Sequence, residues 1–156
     1  MMSLGTGFAF LGAILAVALA CAGSGKGVGL AGEAGNGVIA EDPSKFAQCL
    51  ILEIIPGTQG LYGLVIWFFA MMKMGFFATG VPDLSLAVGL QYFAACLPMG
   101  IGGYFTAIAQ GRCAAAGVMT VARRSDQMAK GLIFAIMVEF YAILCLLASF
   151  LMLNSL

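Results

Sequence analysis

Four long apolar runs, broken only by isolated polar residues, make up most of this chain, and short clusters of charge and proline separate them. A bilayer core needs about 20 apolar residues per helix, so the pattern predicts spans at about 6–38, 46–73, 85–122 and 129–154. The first break, Ala40 to Lys45 (AEDPSK), and the third, Ala122 to Gln127 (ARRSDQ), carry charges of both signs. The second, Gly75 to Leu84, holds Val-Pro-Asp and a single charge. At about 1.5 Å per residue the first and third spans, about 33 and 38 residues, exceed the hydrocarbon thickness, so they project beyond it or tilt.

A glycine-rich or alanine-rich stretch, a charged break and a helix with a polar centre occur twice, starting from Gly25 (GKGVGLAG) and Gly111 (GRCAAAG), at an offset of 82 to 85 residues. The expected organisation is one membrane domain over 1–156, built of two duplicated hairpins at about 6–73 and 85–154.

Composition agrees with lipid as the solvent: 62% of residues are hydrophobic and 9% charged. The 22 glycines suit helices that approach closely without a hydrophobic drive between them, as in an oligomer. Seven basic residues balance seven acidic ones, which leaves no patch for nucleic acid. With no histidine and no close cysteine pair among Cys21, Cys49, Cys96, Cys113 and Cys145, zinc, haem attachment and a disulfide framework are set aside, and the cysteines read as packing residues. No Lys or Arg precedes the first run, so it reads as a retained helix rather than a cleaved signal.

Lys45, Arg123, Arg124 and Lys130 flank the first and third breaks, whereas Lys73 alone borders the second. The positive-inside rule then places the 1–2 and 3–4 loops in the cytoplasm and both termini outside. Lys26 and Arg112 read as cations that snorkel or pair at helix ends.

Two motifs mislead. Gly27 to Gly32 matches a dinucleotide fingerprint without the strand it requires, and Gly23 to Gly27 (GSGKG) lacks the Ser or Thr and the upstream glycine of a phosphate loop. Gly23 with Gly27, and Gly25 with Gly29, fit close helix approach instead.

The chemistry lies deeper. Glu139 sits about ten residues into the final run, where an ionised carboxylate facing lipid must be protonated, paired or matched by a cation. In the second run Thr58, Gln59 and Tyr62 share one helical face. Pro56 lacks an amide donor, which frees the Leu52 carbonyl, and local distortion turns out that of Ile55 as well. Gln110, among Ala, Ile and Gly in the third run, needs a partner on another helix. One carboxylate with two carboxamides, a hydroxyl and a loosened carbonyl makes an oxygen cage of net charge minus one, suited to a hard monovalent cation such as Na+. A proton would need fewer oxygens, but H+ stays open as the cargo.

PGTQGLYG (Pro56 to Gly63), AIAQGR (Ala107 to Arg112) and MVEFYAIL (Met137 to Leu144) closely resemble the proteolipid rotor subunit of bacterial V-type (V/A-type) ATPases, with the likeness extending along the chain. The resemblance implies an all-α, four-span subunit of a homo-oligomeric ring in the plasma membrane, with Na+ held by Glu139, Gln110, Thr58, Gln59 and the Ile55 carbonyl and with Tyr62 steadying the glutamate. It also implies a stator membrane subunit supplying an arginine, a central-stalk subunit, surrounding lipid, and ATP turnover in a separate soluble sector, with no catalysis by this chain. Glu53 departs from the pattern, standing where Gln is expected; pairing with Lys26 or Arg112, a place on the ring interior and a second proton site are its readings, pairing foremost. A four-helix drug exporter would carry its glutamate in the first span, a glutathione-type membrane enzyme would need converging arginines, and neither feature is present. A purely structural proteolipid would tolerate Glu139→Gln.

Overall fold

A computed structural model of the chain describes residues 2–156, and among these all regular structure is helical. Helix α1 (Leu4–Glu41) is one unbroken rod of 38 residues. A 3-10 turn over Pro43–Lys45 reverses the chain into α2 (Phe46–Ile54), and a second such turn, Ile55–Gly57, joins it to α3 (Thr58–Lys73). The four-residue α4 (Phe76–Thr79) lies in the next connection, followed by α5 (Leu86–Arg123), a third 3-10 turn at Ser125–Gln127, and α6 (Met128–Asn154).

The four expected spans are all present as helices long and apolar enough to cross a bilayer. The first runs past the apolar pattern at both ends, with Glu41 still helical, the second and fourth start three to four residues earlier in their 3-10 turns, and the third differs by one residue at each end. Helix α4 was not foreseen. Gly75 (φ 76) and Gly80 (φ 82) bracket it in the left-handed region that glycine enters without steric cost.

The structure resolves the duplication to one constant shift of 82 residues: Leu4 recurs as Leu86, Glu41 as Arg123, Pro43 as Ser125 and Phe46 as Met128. Capping follows the same shift. Ser3 and Ser85 are the N-caps of α1 and α5, accepting from the amides of Thr6 at 3.2 Å and Val88 at 3.4 Å; Asp42 and Arg124 are the C-caps. So does packing within each hairpin: Gly35 meets Cys49 as Gly117 meets Gly131, and Gly63 meets Ala20 as Cys145 meets Gly102.

Helices α1 and α5 run parallel and form the centre of the molecule. They touch at Gly5 and Gly89, at Ala16 and Gly100, and at Gly27 and Gly111, pairs that recur every 11 residues along each helix. An 11-residue repeat is slightly under-twisted relative to 3.6 per turn, which gives the pair a right-handed coil. Glycine is required there, since a Cβ on Gly111 would overlap the Gly27 backbone. Of the two small-residue spacings in α1, Gly23 and Gly27 enter this contact, whereas Gly25 and Gly29 face open space.

Polar ties close both ends. Lys45 Nζ donates to the Ala122 carbonyl at 2.7 Å, satisfying one of the free carbonyls at the α5 C-terminus. At the opposite end Ser3 Oγ donates to the Leu84 carbonyl (2.9 Å) and Thr6 Oγ1 to that of Pro82 (2.8 Å). In the first turn the Ser44 hydroxyl, then its amide, bond Asp42 and hold its carboxyl below the ordinary value.

The expected pairing of Glu53 with Lys26 or Arg112 does not form. Among the described residues the ion pairs are Lys45 with Asp42 and Arg124 with Asp126. Lys26 and Arg112 are exposed, and the Glu53 carboxylate lies against Gly32 of α1 instead. The reason is placement: Glu53 packs on the α2 side of α1, while Lys26 projects from a different face of that helix.

Candidate ion-binding site

The site is assembled from three helices. Pro56 and Gly57 convert one turn of the second span to 3-10 geometry, and the Ile55 carbonyl accepts both the Thr58 amide and, at 3.0 Å, the Thr58 hydroxyl. The distortion expected at Ile55 is therefore present, with its carbonyl turned toward Thr58. Restarting α3 after this turn leaves first-turn amides short of partners. Ser24 Oγ, from α1, accepts the Gly60 amide at 2.8 Å.

Gln59 and Gln110 are fully buried, and Thr58, Tyr62 and Glu139 are half-buried. The Tyr62 hydroxyl donates to Glu139 Oε1 at 2.5 Å. Gln110 Nε2 donates to Glu139 Oε2 at 2.8 Å and to the Ala135 carbonyl at 3.0 Å, while Gln110 Oε1 accepts from Gln59 Nε2 at 2.7 Å. Thr58 Oγ1 also lies 3.5 Å from Gln59 Oε1. Each oxygen of Glu139 thus takes a hydrogen bond from a different helix, and bonds to a charged acceptor are about twice as strong as neutral ones.

Glu139, Gln110, Gln59, Thr58 and Tyr62 all join this network, whereas Glu53, Lys26 and Arg112 do not. No buried side-chain nitrogen or oxygen among the described residues lacks a partner. The donor set is one carboxylate and several neutral oxygens, and the described residues hold no cluster of three His, Cys, Asp or Glu side chains. That chemistry fits a hard, singly charged cation better than a transition metal. For such an ion the amides of Gln59 and Gln110 would present Oε1 in place of their mutual hydrogen bond.

Two supporting residues were missed in the sequence. Ser24 sits inside the GSGKG stretch, where its neighbours read only as packing. Ser149 Oγ accepts the Met99 amide at 3.0 Å, beside Pro98 in the interior of α5. A proline in a long apolar run was the available signal for the second; nothing local marked the first.

The chain matches the family model for the C subunit of ATP synthase twice, over residues 11–70 and 93–152, in the register of the structural repeat. It is 45% identical over 145 residues to the V-type sodium ATPase subunit K of Enterococcus hirae, covering 93% of this chain and 89% of that protein. It is 39% identical over 143 residues to the A-type ATP synthase subunit K of Methanocaldococcus jannaschii, covering 92% of this chain and 60% of that longer protein.

Proposed function

Because the chain belongs to the ATP synthase C-subunit family, we propose that it is the rotor-ring proteolipid of a V-type (V/A-type) ATPase, carrying Na+ at Glu139 and coupling that movement to ATP hydrolysis in a separate soluble sector. The observation that carries this reading is the doubly held Glu139 carboxylate, bonded by Tyr62 of α3 and Gln110 of α5 well inside α6.

A bare carboxylate in lipid is costly, and one bound Na+ makes the site neutral. Gln110, Gln59, Thr58 and the Ile55 carbonyl would supply the remaining oxygens, with Tyr62 holding the glutamate in place. A loaded site can then face lipid, whereas an emptied one needs a positive group, the part assigned to a stator arginine. Identical copies form the ring, a central stalk turns with it, and this chain hydrolyses nothing itself. The cluster of Lys45, Arg123, Arg124 and Lys130 supports a plasma-membrane orientation with those turns in the cytoplasm and both termini outside.

Sodium is favoured over a proton by the surplus of neutral oxygens around one carboxylate, and a sodium ATPase subunit is among the relatives. In purified rings, a carbodiimide should label Glu139, and Na+ at fixed pH should protect it. Protection by acid that is insensitive to Na+ would make this a proton ring; absence of labelling at Glu139 would sink the site.

A further inference from the structure

A groove of about 600 Å³ opens between α5 and α6 near the charged turns, lined in part by Cys113, Thr120, Lys130 and Phe134. Shifted back by 82 residues, these positions are Ala31, Val38, Gln48 and Leu52 of the first hairpin. There the matching groove is filled by the second hairpin: Val118, Val121, Met128 and Leu132 pack on Val38, Cys49 and Leu52, and Ala31 is buried in one cluster with Ala114 and Ala135. The residues one repeat earlier than this plug include Phe46, Leu50 and Glu53, and the chain itself offers them no such groove. Phe46 is 56% exposed and Leu50 43%.

The central helix contact shows the same half-used repeat. Gly25 and Gly29 match Ala107 and Gly111, which press against Gly27, yet both face open space. Ala109, the match of Gly27, is exposed on α5.

We propose that the first hairpin of a second copy seats in the α5/α6 groove, filling it with Phe46 and Leu50, and that Glu53 of that copy pairs with Lys130 across the seam. The proposal rests on the ring reading above and extends it to the contact that builds the ring. The contact is head-to-tail, the kind that closes into a ring when its rotation allows. Glu53 matches Ala135, which is fully buried by the contact within the chain, so the equivalent contact between copies takes its carboxylate out of the lipid-facing surface. Lys130 is the charged residue lining the groove. Among the described residues neither has an opposite charge within ion-pair distance, and Asp126, one turn from Lys130, is held by Arg124 at 3.2 Å. Lys130 lies five positions, about 7.5 Å, nearer the charged turns than the match of Glu53. Side chains on α2 and α6 lean alike toward the charged turns, so the offset is bridged by the long flexible stem of Lys130 extending along the groove toward Glu53.

The test uses the full chain in solubilised membranes. With the native cysteines replaced by alanine, Leu50→Cys combined with Thr120→Cys should give an oxidative ladder of multimers, and each single variant should give none. In the unaltered cysteine background, Glu53→Lys and Lys130→Glu should each lose the oligomer seen by native mass spectrometry, and the double exchange should restore it. If the parent runs as an oligomer but no ladder forms, the seam is wrong while the ring reading stands. Single charge variants that keep the oligomer, or a double exchange that fails to restore it, overturn the ion pair. A parent that is monomeric overturns the ring reading along with the seam.

Discussion

Glu139 is held from two sides, and the two holders differ in what else they do. Tyr62 bonds the carboxylate at 2.5 Å, whereas Gln110 bonds it while also linking Gln59 and the Ala135 carbonyl. A hydrogen bond to a charged group is worth about 1.5–3 kcal/mol, roughly ten- to a hundredfold in affinity. Tyr62→Phe should therefore raise the Na+ concentration for half-protection of Glu139 by roughly tenfold or more and leave the ring intact, as read by carbodiimide competition. Gln110→Ala strips a partner from Gln59, Ala135 and Glu139 together, so its half-protection concentration should rise further than that of Tyr62→Phe in the same assay. Ser24→Ala leaves the Gly60 amide without its acceptor in a buried place, a cost of about 1–3 kcal/mol. A lower thermal midpoint in detergent, with Glu139 still labelled, is the expected result.

At the scale of helices, the contact between α1 and α5 rests on residues without side-chain bulk. A Cβ on Gly111 would collide with backbone atoms of Gly27, and backbone cannot step aside as a flexible side chain can. Gly111→Val should abolish the folded protein, seen as its loss from the membrane fraction or as a collapsed thermal transition. The 3-10 turn at Ile55–Gly57 acts on a different scale from the contact: it resets α3 so that Thr58, Gln59 and Tyr62 point toward α5 and α6. Pro98 in α5 is the other interruption, and there Ser149 of α6 takes the neighbouring amide.

In the whole molecule the repeat is carried by the backbone and the packing, while the chemistry is kept in one copy. The position of Glu139 in the first hairpin is Gly57, and that of Gln110 is Val28. One network is thus formed between the hairpins of a chain, and the positions that match Thr58, Gln59 and Tyr62 are Phe140, Tyr141 and Leu144, so the repeat supplies no second carboxylate or carboxamide there. The face of α1 bearing Gly25 and Gly29 is open in a single chain. Gly29→Leu should consequently leave the protein folded in membranes but prevent assembly, which separates it from Gly111→Val; native mass spectrometry reads the difference.

Alone, the sequence determined that the chain is all-helical with four spans, and it singled out Glu139, Gln110, Thr58, Gln59 and Tyr62. Long apolar runs cannot hide a deep polar residue, and helical spacing puts three of those groups on one face. It also exposed Pro56 as the source of distortion near Ile55. Only the tertiary structure decided which atoms meet, because hydrogen bonds between helices depend on rotation and depth that no single span records. The same limit explains Glu53: charge and approximate depth suggested Lys26 or Arg112, but the face of α1 on which α2 packs sends the carboxylate to Gly32. The register of the repeat was loose in sequence, since small residues align almost equally well at several shifts, and became a single shift of 82 once caps, turns and contacts could be matched together.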